Sequence, residues 1–75
     1  MTQEEPHRPP VRRVVLGLLS DYGSVTDDLL VAMTHAETDA AAWMIRTTIK
    51  RMERHGAIYN ATGDDTAPRW KVTSP

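Results

Sequence analysis

The spacing of apolar residues changes at Gly56, and that change limits this chain to a helical body followed by a small antiparallel sheet. Upstream, Val11, Val14, Val15, Leu18, Leu19 and Tyr22 fall at i, i+3, i+4, i+7, i+8 and i+11, one face of an α-helix. Pro10 suits the first turn of that helix and Gly23 a left-handed cap behind it. Ala41, Ala42, Ile45, Ile49 and Met52 repeat the helical spacing, and Gly56 closes the element. Downstream the period falls to two. Ala57-Ile58-Tyr59-Asn60 and Arg69-Trp70-Lys71-Val72-Thr73 read as strands, with Ile58, Trp70 and Val72 facing inward. The intervening Gly63-Asp64-Asp65 is turn-forming, so the two strands make a hairpin.

Between the two long helical patterns the signals are shorter. Ser24-Val25-Thr26 has room for no more than a single sheet pairing. Thr26 reads as the N-cap of a second helix whose positive end Asp27 and Asp28 complement and which turns Leu29, Leu30 and Met33 inward. The third helix has two candidate starts, a capping box at Thr34-His35-Ala36-Glu37 and an N-cap at Thr38, of which Thr38 is preferred. The expected fold is mainly α, with helices over Pro10–Tyr22, Thr26–Met33 and Thr38–His55 and two to three short antiparallel strands. Residues 1–9, with Pro6 and Pro9 and almost no apolar content, read as a tail to a single domain over 10–75.

A chain of 75 residues has room for one core, and with no Phe that core is built from aliphatic residues, Met and the two Trp and two Tyr. The absence of Cys excludes disulfides and Cys-based zinc sites. Met1 to Pro10 lacks the apolar run of a secretory signal or membrane span, so a cytoplasmic protein away from membranes is expected. His35, Glu37 and Asp39 lack a second nearby histidine and read as solvent-exposed polarity, while His55 fits a helix C-terminus. Ser20, Asp21 and His7 form no triad pattern, and there is no Gly-rich phosphate loop. Neither an enzyme nor a cofactor is expected.

The formal net charge of −1 argues against nucleic acid as a partner, but its distribution does not. Residues 1–40 hold seven acids against three bases, net −4, whereas residues 41–75 hold six bases against three acids, net +3. Such asymmetry fits a basic face on an otherwise acidic body.

The order helix, short strand, helix, helix, hairpin, together with Met52-Glu53-Arg54-His55-Gly56-Ala57-Ile58 and Pro68-Arg69-Trp70-Lys71-Val72, resembles the winged helix-turn-helix family over Pro10 to Thr73. A narrower likeness to readers of Z-form nucleic acid, whose wings also carry Pro and Trp before Lys, stops at the third helix. Their Tyr and Asn positions fall here on Lys50 and Arg46. The family resemblance implies that the third helix enters the major groove of double-stranded DNA and that the wing reaches the flanking backbone. It also implies a small transcriptional regulator or architectural factor, of a kind common in bacteria and their viruses, for which a homodimer or a protein partner is a further expectation.

Projected at about 100° per residue, Trp43, Thr47, Lys50 and Arg54 form a stripe opposite Ile45 and Met52, with Arg46 and Arg51 on its flanks. Arg and Lys donate to guanine N7 and O6, and a Thr methyl can meet a thymine methyl. Arg69 and Lys71, opposite Trp70 on their strand, are the expected phosphate contacts. Asp64 and Asp65 at the tip would repel phosphate. Trp43 has two further readings, local packing against the hairpin or second helix and anchorage of a protein partner. The second belongs to the alternative function, a protein-interaction module that does not bind DNA.

Overall fold

The computed structural model describes residues 9–73. In chain order the elements are α1 (Val11–Tyr22), β1 (Val25–Thr26), α2 (Asp27–Thr38), α3 (Ala42–Arg54), β2 (Ile58–Asn60) and β3 (Arg69–Val72). The protein is mainly helical with one small antiparallel sheet of order β1-β3-β2. Of the expected tail over residues 1–9, all but Pro9 lies outside the described residues.

In α1, Val14, Val15, Leu18 and Leu19 are buried as their spacing requires. Tyr22, on the same face in the last turn, is exposed. Periodicity assigns a face but does not say how far along the helix the core reaches. Pro10 occupies the N-cap position, just outside the first turn. Gly23, at φ 84°, returns its N–H to the Leu19 carbonyl at 2.9 Å and turns the chain into β1. There Val25 pairs with Trp70 and Thr26 with Arg69, so the short strand makes two pairings where one was expected.

α2 departs most from expectation. It continues through both candidate starts of the third helix and ends only at Asp39, which adopts the left-handed conformation at φ 63°. Its buried positions are Leu30, Val31, Thr34 and Thr38, while Leu29 is exposed and Met33 only partly covered. Two threonines in the inward stripe break the apolar pattern that a sequence reading follows. Thr38 acts at the C-terminus of α2: its hydroxyl donates to the Thr34 carbonyl at 2.8 Å and accepts the Ala40 N–H at 3.1 Å. The Thr26 side chain makes no cap hydrogen bond; the Asp27 N–H donates instead to the Pro68 carbonyl at 3.1 Å, tying the start of α2 to the approach to β3.

α3 therefore has its N-cap at Ala41, three residues later than the expected Thr38, and Ala41 and Ala42 are exposed, leaving Ile45, Ile49 and Met52 as its inward residues. It ends in a Schellman motif, with the Gly56 N–H on the Glu53 carbonyl at 3.0 Å and the Ala57 N–H on that of Met52 at 2.9 Å. Gly56 sits at φ 82°, a conformation that costs other residues about 1–2 kcal/mol. In the hairpin, Ile58 pairs with Val72, Tyr59 with Lys71 and Asn60 with Trp70. Ile58 and Trp70 join the helices in one core, and Val72 packs at its edge.

Candidate nucleic-acid interface

The core face of α3 fixes its outer face. Ile45, Ile49 and Met52 are at most 1 % exposed, so Trp43, Arg46, Thr47, Lys50, Arg51 and Arg54 all project outward. Arg46, Thr47, Lys50, Arg51 and Arg54 line a single shallow concavity. Trp43, in the first turn, is 68 % exposed beside an exposed Met44, which rules out packing of its ring against the hairpin or α2. The Thr47 hydroxyl donates back to the Trp43 carbonyl at 2.9 Å, leaving its methyl as the group offered to a ligand.

The cations on this face differ in how they are held. Arg51 and Arg54 make no ion pair among the described residues and lie in the last turn, where the helix dipole favours positive charge. Lys50 approaches Glu53 Oε1 at 3.4 Å, an exposed i, i+3 pair of the kind worth about 0–1 kcal/mol. Arg46 is engaged more closely. Its Nη1 donates to Asp27 Oδ2 at 2.7 Å, and its Nη2 lies 3.7 Å from Asp28 Oδ1. The other oxygen of Asp27 accepts the indole N–H of the buried Trp70 at 2.9 Å. One carboxylate thus joins α2, α3 and β3.

Arg69 and Lys71 lie on the outer face of β3, turned away from the core by the inward Trp70. The Arg69 Nε donates to the neutral Ser24 Oγ at 2.9 Å, which fixes the side chain without cancelling its charge. Neither residue lines a concavity along α3. The loop at 61–68 does, because Asp65, Thr66 and Pro68 form a second concavity with Arg46, Lys50 and Asp27.

That loop is organised by its own side chains. Asn60 Oδ1 accepts N–H bonds from Thr62 and Arg69 at 3.0 and 3.1 Å, clasping the base of the hairpin. Asp64 Oδ1 accepts the Thr66 hydroxyl at 2.7 Å and the Thr66 N–H at 3.0 Å. These two bonds, the hydroxyl first, hold the Asp64 carboxyl below the usual carboxylate range. Asp64 therefore orders the loop while remaining exposed, and Asp65 faces the cleft beside α3.

His35 has a structural use: its Nδ1–H donates to the Ala40 carbonyl at 2.8 Å across the turn between α2 and α3. Among the described residues no group of three or more His, Cys, Asp and Glu is placed to hold a metal ion, and no helix is long and apolar enough to cross a membrane.

No known protein family, curated protein or solved structure matches this chain.

Sequence reasoning assigned Asp27 only to the dipole of α2 and missed its role beside Arg46. The signal was present: Asp27 stands three and seven residues before Leu30 and Thr34, on the inward stripe of its helix. Ser24, the partner of Arg69, carried no comparable signal.

Proposed function

We propose that this chain is a winged helix-turn-helix domain that binds double-stranded DNA, with α3 in the major groove. The reading is carried by one observation: Arg46, Thr47, Lys50, Arg51 and Arg54 share an exposed concave face of a single helix whose opposite face is locked into the core. A helix fits the major groove, and this one offers it guanidinium and ammonium donors and a threonine methyl. The element order and the β1-β3-β2 sheet support the winged reading, in which the loop between β2 and β3 is the wing. Asp28 and Asp65 border the cationic face and reduce its attraction to phosphate, while specificity rests on base contacts. The corresponding role is that of a small cytoplasmic regulator or architectural factor in a bacterium or bacterial virus.

Fluorescence-anisotropy titration of a randomised duplex pool at low and moderate salt tests this. Binding should weaken on Lys50→Ala and Arg54→Ala. Arg69→Ala and Lys71→Ala should weaken all sequences alike, and each should make the slope of log affinity against log salt shallower by about 0.9. No binding of the pool at low salt would refute the proposal. The second reading, a protein-interaction module, is favoured by the adjacent exposure of Trp43 and Met44. It would take over if Trp43→Ala abolished association with a protein or a second copy while DNA binding was absent throughout.

A further inference from the structure

Three of the four cations on the α3 face are suited to phosphate, because a mobile charge is all that such a contact needs. Arg46 is not of this kind. Asp27 Oδ2 lies 2.7 Å from its Nη1 and offsets its charge at close range. Asp27 is itself fixed, since its other oxygen is bonded to the indole of Trp70, a residue only 2 % exposed. The guanidinium is thus held by a carboxylate that the core positions, and its side chain is still 49 % exposed. Of its five N–H groups, one is committed to Asp27, and Asp28 lies at the longer distance of 3.7 Å.

A fork held in one orientation is a poor electrostatic anchor but a good reader of a planar pair of acceptors. The ordering cost of the long side chain has been met before the ligand arrives. We propose that Arg46 is the base-reading residue of this surface, recognising guanine through N7 and O6, and that Asp27 is the positioning residue that aims it. The inference rests on the DNA-binding reading above and deepens it by naming the base and the residue pair. A purely structural role, in which the pair only pins α2 to α3, predicts the same geometry but no effect on base discrimination.

The test uses the full chain and a duplex selected by it from a randomised pool, with each guanine replaced in turn by 7-deazaguanine, which lacks the N7 acceptor. The wild-type chain should lose roughly tenfold in affinity at one guanine. Arg46→Lys keeps the charge but not the fork; it should bind the random pool comparably and lose sensitivity at that guanine. Asp27→Asn keeps an acceptor for the Trp70 indole and removes the charge. It should bind the random pool more tightly while discriminating less at the same position. Unchanged sensitivity at every guanine in both variants would overturn the inference and leave the DNA-binding reading standing. Failure of the wild-type chain to bind the pool at all would remove both.

Discussion

Thr34 offers the sharpest test of how this core is built. It is fully buried in the inward stripe of α2, and its hydroxyl has no hydrogen-bond partner among the described residues. An unsatisfied buried hydroxyl costs about 1–3 kcal/mol, because water that solvated it in the unfolded chain is not replaced. Thr34→Val exchanges that hydroxyl for a methyl of similar size on a side chain already β-branched, so shape and helix preference change little. The backbone carbonyl of Thr34, which accepts the Thr38 hydroxyl, is untouched. The variant should be more stable by about 1 kcal/mol or more, raising Tm by about 4–8 °C for each kcal/mol in a domain of this size. Thr38→Val should act in the opposite sense, since it removes the bonds to the Thr34 carbonyl and the Ala40 N–H. Thermal melts followed by circular dichroism, with urea titrations alongside, would measure both. A lower Tm for Thr34→Val would refute the reasoning.

Single-tryptophan variants quenched with acrylamide should show Trp43 strongly accessible and Trp70 protected, matching exposures of 68 % and 2 %; protection of Trp43 in the monomer would place α3 in a different rotation. Gly56→Ala should cost about 1–2 kcal/mol in urea denaturation from the positive φ alone, because a Cβ there meets no atom within 4 Å. Asp64 has a lowered carboxyl pKa, so its bonds to Thr66 contribute order above the unfolded carboxylate range and lose it as pH falls through the folded value. The Thr66 amide, followed by NMR, should therefore lose protection only in acid, and Asp64→Ala should remove that dependence.

Sequence reading reached the elements whose apolar residues stand alone in their stripe. α1 and the inward half of α3 follow the helical repeat, and Ile58 and Trp70 follow the alternation of a half-buried strand. It failed in α2, where burial of Thr34 and Thr38 leaves too few apolar positions to define a face, and where Leu29 mimics an inward residue. The error then passed to the start of α3. A threonine with an acid behind it signals an N-cap, yet Thr38 bonds backward to Thr34 and Asp39 takes a left-handed conformation in which glycine is more usual. On the candidate site, the outward projection of the α3 residues was legible from periodicity alone. The restraint on Arg46 was only half legible: the repeat of α2 puts Asp27 on the inward stripe, but nothing in the spacing pairs it with a side chain 19 residues later.

The sheet also bears on the order in which the molecule assembles. Each helix, and the hairpin of β2 and β3, is made from neighbours in the chain. β1 is different: the side-chain bond between Ser24 and Arg69 beside its ladder spans 45 residues. Closing a loop of that length brings its entropic cost before any pairing can repay it, unless the intervening chain is already compact. Two residues cannot lead such a step. β1 is therefore expected to dock last, onto a helical body already in place, and the indole of Trp70 finds Asp27 only when that late closure is made.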